Sequence, residues 1–460
     1  MKGAGRRRSP VLDANPIEAE AMPLSRRSLL AGAAALALPR RARAAEDAEV
    51  AVIGAGAAGL AAAAAVTRAG HSVAVLEARA RIGGRAFTDG SLGPDRAFDA
   101  GGQYIHWAER NPWKAVALAD GVRLTTDEAG PWPSLIIDGA PATDETRRRR
   151  RAGFVQLTAL LDRDHPGEDR SIGEAARAVD PALGQAAAGL TRLSLGEEPD
   201  RVSLHDYDQL WAGEDLWVDG YGALVARHHA GLPVRTGCPV RRVDWSGPGV
   251  ALDTPAGRLR AAVAIVTVPV GVLAAGALRF TPELPADLAA AIDGLRMGAY
   301  TKVALALDPA RAGDPRDAVI LRSARGDAPD LTAYLEMRPF GRPLAVLHLG
   351  GDAARLLCEA GEAAAVAAAT DAFASVFGAT ARASVTAGRL AAWWTDPFAR
   401  GSYSLARPGR AGARAALRRP VGERLFFAGE AASGGGAMTV GGATLDGERA
   451  AAAALAALGH

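Results

Sequence analysis

The stretch Val50 to Arg85, VAVIGAGAAGLAAAAAVTRAGHSVAVLEARARIGGR, reads as a strand, a glycine turn, a helix, a second strand ending in an acid, and a second glycine pair. Val50, Val52 and Ile53 make a short buried strand. Gly54, Gly56 and Gly59 follow as G-A-G-A-A-G at a strand-to-helix turn. The first glycine permits the tight turn, the second lets backbone approach a pyrophosphate, and the third lets the helix lie close on the sheet. The helix start offers free N–H groups and the positive end of its dipole to phosphates. Gly70 stops the helix, and Val73, Val75 and Leu76 form the next strand, which ends at Glu77. An acid there accepts hydrogen bonds from ribose hydroxyls and repels an additional 2′-phosphate. The fold class predicted is α/β, with a Rossmann-like dinucleotide-binding domain.

Arg79, Arg81, Gly83, Gly84 and Arg85 separate FAD from NAD, because a second glycine-arginine turn suits a longer cofactor with more phosphate and ribityl oxygens to hold. The segment Glu77 to Arg85, E-A-R-A-R-I-G-G-R, resembles the signature of the flavin-dependent amine oxidase family. Monoamine oxidases, polyamine oxidases and lysine-specific histone demethylases belong to that family. Asp99 to His106, D-A-G-G-Q-Y-I-H, resembles its segment beside the flavin ring, which implies cofactor contacts from Gly102, Gln103 and Tyr104, and Asn111-Pro112 fits polyamine oxidases. Gly220-Tyr221-Gly222 and then Val234 to Val243 resemble the stretch where a backbone valine, here Val240, meets the adenine. Phe426 to Glu430 and Gly441 to Arg449 resemble the closing motif, which implies that Gly429 and Glu430 hold cofactor hydroxyls. A helix starting near Thr439 and Val440 would aim its N-terminus at the flavin's pyrimidine carbonyl. The resemblance covers nearly everything after residue 44 and implies a glutathione-reductase-like topology.

Lys302 is the most telling single side chain. Only Lys2, Lys114 and Lys302 are lysines, against 50 arginines. Across Ala299 to Leu307 the pattern alternates, with Thr301, Val303, Leu305 and Leu307 on one face of a strand and Tyr300, Lys302, Ala304 and Ala306 on the other. A lysine there is a compact donor with three hydrogens whose pKa falls on desolvation, a role arginine cannot take. Gly298, Lys302 and Val303 match the family segment in which a lysine holds a water against the reactive flavin nitrogen.

Trp393 and Tyr403, within W-W-T-D-P-F-A-R-G-S-Y-S, match the family's aromatic pair beside the flavin, and aromatic faces suit an amine; Trp394 is assigned to packing. Monoamine oxidases carry a flavin-bonded cysteine where this chain has Ser402, so the resemblance implies non-covalent FAD. Thr439 stands where those enzymes place a second tyrosine, leaving the aromatic cage half built. His106 and Trp107 follow the flavin-side segment, with His106 a candidate proton acceptor. The implied site has Lys302, Tyr403, Trp393 and His106 as catalytic residues, with Tyr403, Thr439, His106 and Trp107 against the substrate. The implied reaction moves a hydride from the carbon next to a neutral amine nitrogen to flavin. The imine hydrolyses to an aldehyde or ketone, and oxygen is reduced to hydrogen peroxide. A periplasmic dehydrogenase with a cytochrome or quinone acceptor, an amino-acid oxidase, a flavin desaturase and a non-catalytic flavin-binding protein stay open alternatives.

Ser25-Arg26-Arg27-Ser28-Leu29-Leu30, an apolar stretch to Leu38 and Ala42-Arg43-Ala44 read as a twin-arginine export signal over residues 1–44, with a periplasmic or secreted address. The apolar run is too short to span a bilayer. Residues 1–44 carry nine basic and three acidic groups, so their removal takes the formal charge from +2 to −4 and argues against nucleic-acid binding. Arg147 to Arg151 read as the solvated face of a helix that turns Phe154, Leu157, Leu160 and Leu161 inward. Cys238 and Cys358 are too few for a disulfide framework and lack metal-ligand spacing, and no metal is expected. The length after the leader suits two domains. Residues 46–114, 215–280 and 390–460 would form the FAD-binding domain, interleaved with an α+β substrate-binding domain of 115–214 and 281–389. The expected partners are a small-molecule amine and oxygen or a redox acceptor protein, with a homodimer left open.

Overall fold

Ala48–Ile53 runs parallel to Val73–Leu76 on one side and to Gly257–Val266 on the other, with Val50 opposite both Val73 and Val263. This computed structural model describes residues 48–126, 134–210, 212–312, 319–323 and 331–459. The leader reading, residues 1–44, lies outside the described residues. Val50, Ala51 and Val52 are fully buried, as a parallel strand covered on both faces requires. The sheet has eight strands. From one edge they run Val234–Arg235, Val73–Leu76, Ala48–Ile53, Gly257–Val266, Val250–Thr254, Arg242–Asp244 and Arg279–Thr281, and Leu425–Phe427 also pairs with Gly257–Val266.

The alanine-rich tracts are close-packed helices. Ala57–Arg68 and Val440–Leu458 lie against one another, and a Cβ at Gly447 would come 2.1 Å from the carbonyl oxygen of Ala58. Bare backbone is what lets these two helices, which converge on the glycine turn, approach so closely.

A second, seven-stranded sheet has the order Val385–Leu390, Tyr300–Leu307, Leu344–Gly350, Leu331–Met337, Val319–Ser323, Ser134–Ile137 and Ala140–Pro141. Tyr300–Leu307 shows the alternation read from sequence. Val303, Leu305 and Leu307 pack with Phe373 in one cluster, and Ala304 and Ala306 pack with Phe98 and Trp393 in another. The strand is buried on both faces, so the edge-strand environment that would let a lysine reach solvent does not arise.

In the helix Asp144–Leu161, Leu157, Leu160 and Leu161 are buried, but Phe154 is exposed, a correction to the inward face predicted. Phe154 lies three residues before Leu157, at the margin of the apolar stripe. Cys238 and Cys358 are both buried and free. Among the described residues no helix is long and apolar enough to cross a membrane, and no group of three or more His, Cys, Asp or Glu is placed to hold a metal ion.

Candidate active site

A single cavity of about 1330 Å³ is lined by both glycine turns, the Gly101–Tyr104 segment, Lys302, Trp393, Tyr403 and the start of the helix Val440–Leu458. Gly54 adopts φ +105°, which a side chain disfavours, and a Cβ at Gly59 would stand 1.9 Å from the Gly54 carbonyl oxygen. Gly56 differs. A Cβ there meets nothing nearer than the Cα of Gly84 at 3.9 Å, so its bare side faces open cavity. Glu77 is buried and accepts from the backbone N–H of Ala55 at 2.7 Å and of Arg79 at 2.8 Å. Those bonds aim its carboxylate, which keeps lone pairs for hydroxyls. A helix N-terminus, an open glycine and an oriented acid on a cavity of this size fit the ADP half of FAD. Val240 lines the same cavity.

The arginines and Glu430 are more heavily engaged by protein than the sequence suggested. Arg79 forms a bidentate pair with Asp396 at 2.6 and 2.7 Å. Arg85 donates to the Ser402 carbonyl at 2.8 Å and to Glu430 at 2.9 Å. The other oxygen of Glu430 accepts from the Ser404 hydroxyl and from the backbone N–H groups of Ser404 and Met438. Burial raises the pKa of Glu430, but Arg85 and Arg414 outweigh it and hold the carboxyl below the usual range. Glu430 thus ties three segments together at the cavity wall.

Lys302 lies in this wall, 5% exposed. Its Nζ donates to the carbonyls of Asp99 at 2.7 Å and Gly101 at 3.0 Å and to Oε1 of Gln103. The lysine therefore pins the segment predicted to pass beside the flavin. The Asp99 carboxylate in turn accepts from the N–H groups of Tyr221 and Gly222 and from the Thr88 hydroxyl, so the D-A-G-G and G-Y-G motifs meet in space. Burial lowers the Lys302 pKa to about 8, against the opposing pull of Glu336 and Asp99.

Trp393 donates from Nε1 to the Ala100 carbonyl at 2.7 Å, and the Tyr403 hydroxyl donates to the Ser194 carbonyl at 3.1 Å. Ser194 belongs to a π-helical turn, Thr191–Leu195, a rare geometry that is frequent at functional sites. Burial raises the Tyr403 pKa well above its ordinary value, with Tyr300 and Glu430 adding to the shift. A second tyrosine stands beside Tyr403, from a different segment than the one Thr439 occupies. Tyr300 lines the cavity with its ring 6.1 Å from that of Tyr403. Thr439 caps the helix, accepting from the N–H of Gly442 and donating to the Gly436 carbonyl.

His106 lines the cavity, half exposed, with Nδ1 2.9 Å from Asp215. Trp107 is not in the lining. Its backbone is left-handed at φ 53°, and its ring lies 4.2 Å from the Arg110 guanidinium carbon, so the substrate contact predicted for it is corrected. Gly59 is also off the lining and serves packing. Trp394 packs against the second core, as assigned.

Sequence reading missed Tyr300, His348 and the acids Asp162, Asp164 and Asp208 of the lining, and also Glu336, which is bonded to His348. His348 in LAVLHLG and Glu336 in LTAYLEM are ionisable residues within apolar strands, which was the available signal. Burial raises the Asp208 pKa, and Asp164 and Asp169 push the same way against His165 and His205.

Residues 173–455 match the family described as flavin containing amine oxidoreductase, and residues 52–118 match the NAD(P)-binding Rossmann-like domain. The chain is 30% identical to Lysine-specific histone demethylase 1 homolog 1 of Oryza sativa subsp. japonica, over 88% of this chain and 52% of the relative. Polyamine oxidase 4 of the same plant is 29% identical over 84% of both chains, and its Polyamine oxidase 3 is 30% identical over 83% of this chain and 84% of the relative. The chain thus spans about half the length of the demethylase-like relative.

Proposed function

The chain belongs to the flavin containing amine oxidoreductase family, and from that premise we propose that it is an oxidase, with non-covalent FAD, of amines that carry a second, distant cation. When bound, FAD supplies the acceptor for a hydride from the carbon next to nitrogen, and oxygen restores it with release of hydrogen peroxide. The imine product hydrolyses to an aldehyde or ketone. The protein contributes position and charge. Gly54, Gly56 and Glu77 would hold the ADP half and Val240 the adenine, while Lys302 fixes the neighbouring wall. Trp393, Tyr403 and Tyr300 offer ring faces to the incoming ammonium.

The observation that carries the substrate class is the cavity's charge pattern. Arg79, Arg85, Arg241 and Arg400 share its lining with the glycine turns, as a bound pyrophosphate calls for. Asp162, Asp164 and Asp208 border the helical cluster that also holds Leu161, Leu210 and Met438, and among the described residues Arg163 is the one Lys or Arg lining the cavity beside them. Several carboxylates kept close together favour a ligand with more than one positive charge. Two of the relatives bear the name polyamine oxidase. At low salt, 1,4-diaminobutane is expected to exceed butylamine in kcat/KM by about 10-fold or more, equivalent to about 1.4 kcal/mol. The advantage should shrink with added salt and vanish in Asp162→Asn/Asp208→Asn. Equal handling of both amines by the unmodified enzyme would end this reading of the acids.

The domain division given above, with the cofactor domain contributed by three segments, is part of the same reading; the strand membership of the two large sheets supports it, while Leu295–Met297 with Ser404–Ala406 and Leu124–Thr125 with Leu216–Val218 pair across the division. So is export in the folded state, supported by Ser25 to Leu30. Replacing Arg26 and Arg27 by lysine is expected to retain the full chain in the cytoplasm on fractionation. Undiminished export of that variant would remove the twin-arginine assignment.

A further inference from the structure

Three ionisable side chains stand in a row leading inward from the cavity wall, and the chemistry above gives the Tyr300 hydroxyl, His348 and Glu336 no proton to move. The Tyr300 hydroxyl is 3.0 Å from Nδ1 of His348, and Nε2 of His348 is 2.9 Å from Oε2 of Glu336. His348 is 2% exposed and Glu336 5%. Groups of this kind are costly to bury unless hydrogen-bonded throughout. Strand pairing builds the row, since His348 lies directly opposite Lys302 on one neighbour and Tyr334 on the other, with Glu336 two residues along. Tyr300 and His348 line the main cavity. Glu336 instead borders a separate void of about 20 Å³, shared with Asp99, Gln103 and Arg342. That is room for one water.

The direction of every hydrogen follows from the partners. Lysine only donates, so Lys302 turns the carbonyl of Gln103 toward itself and leaves its NH2 group 3.2 and 3.3 Å from the Glu336 oxygens. An ionised carboxylate only accepts, so His348 presents Nε2–H to Glu336 and a lone pair at Nδ1 to the Tyr300 O–H. The Tyr300 oxygen, its hydrogen committed inward, has lone pairs to offer a donor in the cavity. Burial, with Glu336 adding, raises the pKa of this hydroxyl, so it does not ionise on its own near neutrality.

We infer that Tyr300, His348 and Glu336 form a relay that removes the proton of the substrate ammonium before oxidation, an inference that rests on the amine-oxidase reading. An N–H bond of the ammonium breaks as an O–H bond forms at Tyr300, and the original Tyr300 O–H bond breaks as N–H forms at Nδ1 of His348. The products are a neutral amine and an imidazolium paired with the Glu336 carboxylate, and no electrons move. The arrangement has the logic of a hydroxyl, imidazole and carboxylate in series. It leads the proton away from the reacting carbon, toward the second void. Tyr300, Lys302, Tyr334 and Glu336 face His348 from the two neighbouring strands. Farther off, Arg192 of the π turn pairs with Glu198, and on the helix Gly351–Ala360 Asp352 pairs with Arg201, Arg355 with Glu197, and Glu359 accepts from Trp394.

The test uses the FAD-loaded full chain with Tyr300→Phe and, separately, His348→Gln, and follows anaerobic flavin bleaching by 1,4-diaminobutane across pH. Near neutral pH both variants should lose about 100-fold, the usual scale for a lost proton transfer. The deficit should close as pH approaches the amine's own pKa of about 10, where solvent supplies the neutral amine. A deficit of constant ratio at all pH values, or none, overturns the relay. A second readout needs no turnover. tert-Butylamine has no hydrogen on the carbon next to nitrogen and cannot be oxidised. Its saturation near pH 8 should move the ring nitrogens of His348, assigned by their loss in His348→Gln, to imidazolium shifts in the parent and not in Tyr300→Phe. Unmoved nitrogens in the parent overturn the relay too. If they move while no amine bleaches the flavin, the oxidase reading fails and the relay stands.

Discussion

Lys302→Met is expected to slow turnover by about 100-fold or more, on the scale of other preorganised donors, while the yellow protein keeps its FAD. The substitution keeps a long unbranched side chain but removes Nζ and with it all three donor hydrogens. The carbonyls of Asp99 and Gly101 and the side-chain oxygen of Gln103 lose that donor together, and each buried acceptor left alone costs about 1–3 kcal/mol. The segment beside the cavity loosens, and Gln103 is no longer held toward Glu336. The glycine cradle and Glu77 are untouched, so the cofactor stays. Stability should follow pH with a definite sign. The folded-state pKa of Lys302 is depressed to about 8 from 10.5, so its contribution is fully present above 10.5 and lost as pH falls through 8. The denaturation midpoint of the parent relative to the methionine variant should therefore rise between those values. Stopped-flow reduction and reoxidation at equal flavin content would measure the kinetic effect, and unchanged turnover removes the role assigned to this lysine.

Gly56→Val and Gly59→Ala should fail in different ways, although both change the same motif. At Gly56 the backbone is extended, φ −77° and ψ −177°, and a side chain would point into open cavity. The apo protein should fold with little change, while the added bulk occupies the approach of the pyrophosphate, and FAD affinity should fall by about 100-fold or more, equivalent to about 3 kcal/mol. At Gly59 the added methyl meets backbone, 1.9 Å from the Gly54 oxygen and 2.9 Å from Thr267 Oγ1. Strand, turn and helix must separate to admit it, so the apo protein itself should lose several kcal/mol. Thermal unfolding without and with added FAD distinguishes the two. If Gly56→Val is as unstable as Gly59→Ala without cofactor, the open side of Gly56 is not a phosphate approach.

The fold was legible where local pattern and burial coincide. Val50 to Glu77 reads as strand, turn, helix and strand because each glycine answers a constraint only a few residues away, whereas the helix start near Thr439 was implied by the family resemblance. The face of Lys302 was legible for the same reason, since alternation over eight residues suffices to place it. Phe154 and Trp107 were misplaced, one at the margin of an apolar stripe and the other on a left-handed residue outside the cavity lining. Neither property is periodic.

By itself the sequence determined the cofactor cradle and the buried lysine strand, because spacing along one segment carries their geometry, whereas the aromatic pair near residue 400 was implied by the family resemblance. Only the tertiary structure decided that Tyr300 faces Tyr403, that Glu336 and His348 stand in line behind it, and that Lys302 reaches across 199 positions to Gln103. Register between neighbouring strands aligns Glu336 with His348, while Tyr403 and Gln103 arrive from segments far along the chain, and no single segment encodes either arrangement.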